Sequence, residues 1–509
     1  NLTTINNLGT ITDAEYDTSN STYWFAGNDK GVIAYKDNLP SYYKPEGPAV
    51  NSPFDMTFAG KKLFVLQGGR WAGQFNNDGI VMMFENEKWT NILRSDIEGK
   101  DAVSHKVTDF MNVAVDPDDV SHFFVTSFGT GLYEFKDNKY SKWYYTENSS
   151  IQTVIPSNPY EYMRVDGAIF DKNKNLFLTN MSSNKTIEVK YKNATDNTWG
   201  RLSYTFSDAP KVFANISKIL ISNQNPNQKW INGFRDCVGI CVFDDDGTLS
   251  DQSDDKSVFL SNFIFSETDA NGNTTYPKAS PSSVFCMAQD KNGVMWIGTD
   301  IGPFLFQNLN KIYNTDYTCS RVKIPRNDST NLADYLLVNE KIKAIVIDGA
   351  NRKWLGTESS GVYLMSENGQ ETIKHFTSDN SPLLSNNILS IAINPSTGEV
   401  FFGTSKGIIS YQSDAASATD EFTNVYAYPN PVRHDFTGVI TITGLVANAQ
   451  VKITDINGNL VCQTVSNGSI ATWDGKDVHG RKVNTGVYLA MCVNEDGTKS
   501  AITKILVIN

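Results

Sequence analysis

The sequence predicts an all-β protein, a β-propeller followed by an immunoglobulin-like β-sandwich. One observation is a strand-turn-strand unit that recurs along the first four hundred or so residues. The other is a row of short strands with Asn-Gly and Asp-Gly turns near the C-terminal end. Aromatic residues make up 12% of the 509 residues, which also favours β structure. A chain of this length has room for two domains of unequal size.

The repeat unit is clearest in three late copies. Each copy has an apolar strand, a tight turn, a strand that ends in Gly-Thr or an equivalent, and a third strand that begins at Gly. The three clear copies cover residues 284–306, 342–364 and 388–411, and five weaker ones cover 24–35, 63–84, 123–135, 176–189 and 230–243. Three or four strands per unit of roughly 45 to 60 residues are typical of propeller blades.

Blade packing explains the composition of the unit. The inner strands face neighbouring blades on both sides, so they need continuous apolar residues instead of simple alternation. The Gly-Thr pairs stand at strand ends, where glycine permits a close backbone approach or a tight bend. Closure into a ring then removes the exposed sheet edges.

The eight units leave two arrangements open. One is a seven-bladed ring with an extra unit from a neighbouring, truncated propeller, and the other is an eight-bladed ring. We favour seven blades, with the unit near residues 11–38 as the outlier. The predicted domains are a partial or extra blade at 1–40, a propeller at 41–415, a linker at 416–424 and a sandwich at 425–509.

The C-terminal segment carries four motifs in a fixed order. It opens with Tyr-Pro-Asn-Pro at 428–431 and continues with an alternating hairpin at 451–461. Trp-Asp-Gly follows at 473–475 and Thr-Gly-Val-Tyr at 485–488, and a short basic-apolar segment ends the series at 503–507. Short strands separated by such turns indicate a small sandwich.

These motifs, in this order, resemble the C-terminal sorting domains of the type IX secretion system, an export route of Bacteroidota. The late repeats resemble the two-component-regulator type of propeller repeat. The Trp-Asp-Gly motif alone also occurs in flagellar-hook-type immunoglobulin-like domains, so the ordered set carries the resemblance. The alternative is a generic sandwich appended for stability.

The resemblance implies a non-enzymatic adaptor. It would reach the cell surface by periplasmic export and stay on the extracellular face of the outer membrane. There it would bind anionic lipopolysaccharide and present it to the sortase-type proteins of the attachment complex. Two other functions stay open: a secreted cargo protein with a glycan-binding propeller, and a propeller lyase or hydrolase with carboxylates that converge on the channel.

Composition excludes several other classes. The formal net charge of −12 argues against a nucleic-acid partner, since phosphate binding needs clustered Lys and Arg. No apolar run approaches the roughly 20 residues of a transmembrane helix. The 5 histidines form no HxH or HxxxH pair, and no phosphate loop or GxSxG elbow occurs, so we expect no cofactor and no catalytic residue.

Two groups of residues are candidate sites. Arg70 and Trp71 stand in a Gly-rich loop, where we expect both side chains to be accessible for a sugar ring and its anionic group, and Arg235 is a further candidate. The alternative for Trp71 is that it fills a gap between blades. Asp244 and Asp246 stand in an acidic loop that suggests calcium, although a solvated turn explains the same residues.

Overall fold

A computed structural model of the chain describes residues 8–27, 31–44, 46–70, 76–181, 187–191, 199–204, 215–268, 272–326 and 333–508. Within these ranges almost all regular structure is β-strand. The helices found there are three-residue 3-10 turns, at Arg94–Asp96, Arg235–Cys237 and Leu309–Lys311. Nothing in the described part of the chain is a helix long and apolar enough to cross a membrane.

Eight antiparallel sheets follow one another along the chain, each formed from consecutive strands. The first, which we call the N-terminal sheet, consists of β1 (Ile11–Asp17), β2 (Thr22–Gly27), β3 (Gly31–Lys36) and β4 (Leu39–Tyr43). Blade 1 consists of β5 (Asp55–Ala59), β6 (Lys62–Leu66), β7 (Val81–Glu85) and β8 (Lys88–Ile92). Blade 2 consists of β9 (Phe110–Asp116), β10 (Asp119–Ser127), β11 (Gly131–Lys136) and β12 (Lys139–Tyr144). Blade 3 consists of β13 (Val165–Phe170), β14 (Leu176–Asn180), β15 (Ile187–Lys190) and β16 (Trp199–Leu202).

Blades 4 to 7 continue the series. Blade 4 consists of β17 (Ile216–Ile221), β18 (Gln228–Gly233), β19 (Gly239–Asp244) and β20 (Lys256–Leu260). The short strands β21 (Phe263–Ile264), β22 (Glu267–Thr268), β23 (Thr274–Thr275) and β24 (Lys278–Ala279) lead to blade 5, which has β25 (Val284–Gln289), β26 (Met295–Thr299) and β27 (Gly302–Phe306). After β28 (Lys323–Pro325) and β29 (Ala333–Tyr335), blade 6 has β30 (Ile342–Ile347), β31 (Lys353–Thr357), β32 (Val362–Met365) and β33 (Thr372–Phe376), and blade 7 has β34 (Ile388–Ile393), β35 (Glu399–Thr404) and β36 (Gly407–Gln412).

Blades 1 to 7 form a closed ring. The first strand of each blade is innermost and contacts the first strand of the next, and β34 of blade 7 contacts β5 of blade 1. Side chains close the ring, since Phe401 of blade 7 packs against Phe58 and Phe84 of blade 1. The seven-bladed propeller is therefore confirmed, and the N-terminal sheet is the unit left outside the ring.

A recurring hydrogen bond joins neighbouring blades. The donor is a side chain near the end of the second strand of a blade, or one on its first strand. The acceptor is a backbone carbonyl at the start of the first strand of the next blade, or just before it. The bonds run from Thr126 to Asp166 (2.5 Å), Thr179 to Ser217 (2.7 Å), Asn232 to Val284 (3.1 Å), Cys286 to Ile342 (3.4 Å) and Ser390 to Pro53 (2.7 Å). These bonds satisfy carbonyl groups that would otherwise be buried without a partner.

Glycine takes the place of the polar side chain in blades 5 to 7. Gly298, Gly356 and Gly403 stand at the position that Thr126, Thr179 and Asn232 hold in earlier blades. A Cβ on Gly298 would lie 2.7 Å from the carbonyl oxygen of Ile342 in the next blade. The glycine of each Gly-Thr pair is therefore there because the next blade leaves no room for a side chain.

The threonine of each pair closes a turn. The hydroxyl groups of Thr299, Thr357 and Thr404 donate to the carbonyls of Gly302, Gly361 and Gly407, at 2.6 to 2.9 Å. Each hydroxyl also accepts a backbone N–H from within the same turn. The turn between the second and third strands is thus stabilised by hydrogen bonds among its own residues.

The C-terminal domain is a β-sandwich, as predicted. One sheet has β37 (Tyr426–Tyr428), β39 (Ile440–Thr443) and β42 (Ile470–Trp473), and the other has β38 (Val432–Arg433), β44 (Ser500–Ile508), β43 (Gly486–Val493), β40 (Gln450–Asp455) and β41 (Leu460–Val465). Trp473 and the inward residues of β40, β43 and β44 form its core. Cys462 and Cys492 lie on strands on either side of β40, which places them too far apart for a disulfide.

The sandwich is anchored to one end of the ring. Ala415 and Ala416 are fully buried, and the Ala416 carbonyl accepts the Ser469 N–H at 3.0 Å. Arg352 of blade 6 donates to Asp414 at 2.7 Å, and Ser417 donates to the carbonyl of Pro395. The contact is with turns that join first and second strands, so the sandwich occupies the end of the ring where those turns lie.

We predict that Thr179→Val destabilises the propeller by about 1–3 kcal/mol. The Thr179 hydroxyl donates to Ser217 and accepts the Gly167 N–H at 2.7 Å, so valine leaves two buried backbone groups unpaired. Urea unfolding of the full chain measures the change. Thr90→Val on the exposed face of β8 is the control and should change stability by no more than about 0.5 kcal/mol. Equal effects of the two substitutions would contradict this role for the inter-blade bond.

Candidate ligand site at the channel mouth

The innermost strands of blades 2 to 7 share a local irregularity. Each shifts its pairing with the second strand by a residue near the N-terminal end, which is the pattern of a β-bulge. Lys218, Phe285, Lys343 and Leu389 stand at or next to the bulges and line a cavity in the central channel. A bulge re-aims a side chain, so these positions set the chemistry of the channel independently of the blade core.

Two pairs of charges join blade 1 to blades 3 and 4 at the channel. The Lys218 ammonium hydrogen-bonds to Asp55, which also accepts from the Asn112 amide at 3.0 Å. Arg70, in the loop after β6, lies 3.1 Å from the Asp166 carboxylate of blade 3 and hydrogen-bonds to Ser217 of blade 4. Both carboxylates are almost completely buried. A buried charge needs such a partner, because either group alone would be strongly destabilising.

Arginines and aromatic rings surround the channel mouth. The Arg70 guanidinium lies between the rings of Phe54 (5.5 Å) and Phe234 (5.2 Å). Arg235 donates to the Arg70 carbonyl at 2.6 Å and lies 5.6 Å from the Phe234 ring. Its backbone φ of +55° is in the left-handed region, which non-glycine residues rarely adopt.

A third arginine extends this cluster. Arg164 lies 5.4 Å from the centre of the Phe128 ring, and that ring contacts Phe234 at 6.4 Å. Burial lowers the pKa of Arg164, and the neighbouring Arg235 charge lowers it further. Among the described residues no carboxylate lies within 4.0 Å of the Arg164 guanidinium. We define the channel-mouth cluster as Arg70, Arg164, Arg235, Phe54, Phe128 and Phe234.

A cleft of about 300 Å³ opens beside Arg164. Lys106 and Tyr162 are exposed at its rim, Phe128 lies on one wall, and Asp109 and Glu161 also line it. Tyr162 also has a left-handed backbone, with φ of +59°. An exposed ring next to two cations can hold a sugar with an anionic substituent, since the ring contacts the apolar sugar face and the cations contact the charge.

The structure brings together two of the three residues that the sequence selected for this site. Arg70 and Arg235 are in direct contact, but the expectation that Arg70 is accessible is wrong, because its side chain is buried between two rings and paired with Asp166. Trp71 lies outside the described residues. Arg164 and Lys106 were missed, since neither stands in a Gly-rich loop or a recognisable motif; their place just before an inner strand is the one available signal.

The acidic loop at Asp244 and Asp246 forms a turn. Asp244 accepts the Asp246 N–H at 3.1 Å and the Asn225 amide at 2.7 Å, and Asp246 is exposed. The buried member is Asp245, which pairs with Lys229 of the neighbouring strand. Within the described ranges no three His, Cys, Asp or Glu residues are placed to hold a metal. Calcium at Asp244 and Asp246 stays a prediction.

Fold and site together define a class of protein: a propeller with a cluster of arginines and aromatic rings at one end of its channel and an anchored sandwich at the other. Residues 426–509 match the family of secretion system C-terminal sorting domains, and this domain belongs to that family. Residues 279–300, at the start of blade 5, match the two-component-regulator propeller repeat. No curated protein matches the chain.

Among solved structures the chain is similar to PorZ, described as an essential surface component of the type IX secretion system of Porphyromonas gingivalis. The two share 29% sequence identity and superpose with a TM-score of 0.72. The match covers 97% of this chain and 64% of the PorZ chain. The extracellular domain of a one-component system of B. thetaiotaomicron is 12% identical over 98% of this chain and 63% of its own, with a TM-score of 0.45. The chain is thus PorZ-like, with two-component-regulator-type blades and a type IX sorting domain.

We predict that Asp166→Asn destabilises the protein by about 3–5 kcal/mol, because it leaves the Arg70 charge buried without a counter-charge. Thermal and urea unfolding of the full chain measure the effect. Asp334→Asn, which breaks an exposed pair with Arg326, is the matched control and should leave stability nearly unchanged. A small effect of Asp166→Asn would mean that Arg70 is neutralised by another group.

Proposed function

We propose that this protein is a non-enzymatic surface adaptor of the type IX secretion system. It binds anionic lipopolysaccharide at the channel mouth and presents it to the sortase-type attachment complex on the extracellular face of the outer membrane. The likeness to PorZ and the type IX sorting domain support the system, and the channel-mouth cluster supports the ligand.

The observation that carries the proposal is the placement of two surfaces on opposite ends of one rigid ring. The channel-mouth cluster comes from loops at the ends of second strands, such as those at Phe128 and Phe234. The sandwich contacts turns at the beginnings of second strands, near Gly349 and Gly398. Since the second strand of each blade runs from one end of the ring to the other, a ligand at the mouth and a partner at the sandwich can be held at the same time.

The contact between the propeller and the sandwich supports the proposal that the sandwich is retained as a docking module. Ser413, Ala415 and Ala416 are buried between the propeller and the sandwich turn at Gly468, and hydrogen bonds join this segment to both domains. A sorting domain that is removed after export has no need of such an interface. The rival function is a secreted cargo protein with a glycan-binding propeller, in which the sorting domain is cleaved.

The ion pairs of the channel carboxylates support a binding function over a hydrolase or lyase function. A hydrolase or lyase would need carboxylates free to exchange protons. Asp55 and Asp166 are instead engaged by Lys218 and Arg70, which hold them as partners in the packing of the ring.

We predict that the double substitution Arg164→Gln, Arg235→Gln weakens binding of anionic lipopolysaccharide by about tenfold or more, because it removes two cations from the channel-mouth cluster. Lipopolysaccharide from the source bacterium, separated into anionic and neutral fractions, is titrated against the immobilised full chain. Arg481→Gln in the sandwich, an exposed arginine far from the mouth, should leave binding unchanged.

The same protein is then used to capture partners from solubilised outer membranes. Sortase-type proteins and anionic lipopolysaccharide should be recovered together. If the double variant binds lipopolysaccharide as tightly as the unsubstituted chain, the binding site is not at the channel mouth. Recovery of neither partner would contradict the adaptor function.

A further inference from the structure

The two halves of the central channel differ in chemistry. Blades 1 to 4 fill their half with the paired charges of Asp55 with Lys218 and Arg70 with Asp166. Blades 5 to 7 instead place Phe285, Lys343 and Leu389 at the corresponding bulges. A cavity of about 250 Å³ lies between the halves. We call it the half-channel cavity.

Neighbouring groups only partly compensate the positive charge of Lys343. Its ammonium lies 4.0 Å from the centre of the Phe285 ring and 3.7 Å from one carboxylate oxygen of Glu358. The other Glu358 oxygen hydrogen-bonds to Lys341 on the surface. Burial lowers the pKa of Lys343, which is the expected effect when desolvation of a charge exceeds the attraction of its neighbours.

Two residues of the cavity wall each have a buried polar atom for which the described part of the chain supplies no hydrogen-bond partner. The atoms are the amide oxygen of Asn232 and the Nε of Arg70, and both residues line the cavity and are less than a tenth exposed. An unpaired acceptor and an unpaired donor facing one cavity are unusual, because most buried polar groups are bonded to protein or to a bound molecule.

Most of the remaining wall is apolar. It includes Leu220, Met287, Ile345, Leu389 and Ile391. A cavity of about 150 Å³ is known to hold benzene, so the present one has room for an aromatic ring and an acidic group.

We propose that the half-channel cavity binds a small organic anion with an apolar body, an aryl carboxylate, with its carboxylate on Lys343 and its ring against Phe285 and Leu389. The carboxylate supplies Lys343 with a second counter-charge besides Glu358, and the apolar wall excludes strongly hydrated inorganic anions. This site is separate from the cleft at Arg164 and does not depend on lipopolysaccharide binding.

Isothermal titration of the full chain with three probes of the same size tests the proposal. Phenylacetate should bind saturably, 2-phenylethanol about tenfold more weakly because it lacks the charge, and 2-phenylethylamine not measurably. The three probes share a ring, so their order reports the contribution of Lys343 and not of apolar burial alone.

Lys343→Met should weaken phenylacetate binding by about tenfold or more while the midpoint of thermal unfolding confirms that the variant folds. Lys343→Gln serves as a second variant if methionine disturbs folding. Lys341→Met removes the neighbouring surface lysine and should leave binding unchanged. Absence of saturable phenylacetate binding, equal binding of the alcohol, or full binding by a folded Lys343 variant would overturn the proposal.

Discussion

Contact between the second strand of one blade and the first strand of the next is the constraint on which the rest of this structure depends. Where the second strand carries Thr126, Thr179 or Asn232, the side chain satisfies a carbonyl of the neighbouring blade. Where it carries glycine, side chains of first strands, those of Cys286, Ile388 and Ser390, occupy the space that a side chain would need. Both solutions fix the spacing between blades, and the hydrogen bonds of the first satisfy backbone carbonyls at the blade interface.

That spacing determines what the channel can hold. The bulges in the inner strands turn single residues inward while the blade cores stay apolar, so channel chemistry varies from blade to blade. Paired charges close one half and support the arginines at the mouth. The half-channel cavity lies between this half and the half formed by blades 5 to 7. The sandwich, anchored at the opposite end, does not interfere with either surface.

The fold could be predicted from sequence to a large extent, because the late Gly-Thr repeats and the ordered C-terminal motifs are local patterns. The inter-blade position was not evident, since Thr179, Asn232 and Gly298 share a place in the blade but no chemistry. The site could be predicted in part: Arg70 and Arg235 were selected for their loops and do meet. The burial of Arg70 depends on Asp166, 96 residues further on, and local sequence carries no signal of that pairing.

The central claim is that one rigid molecule carries a ligand at the channel mouth and keeps its sorting domain as a docking module. Mass spectrometry of the mature protein taken from the cell surface tests it most directly. We expect peptides that span Tyr428 and continue through Trp473 to the last strand, at the same abundance as peptides of the propeller. A surface protein that ends near Tyr428 would contradict the account and identify the chain as exported cargo.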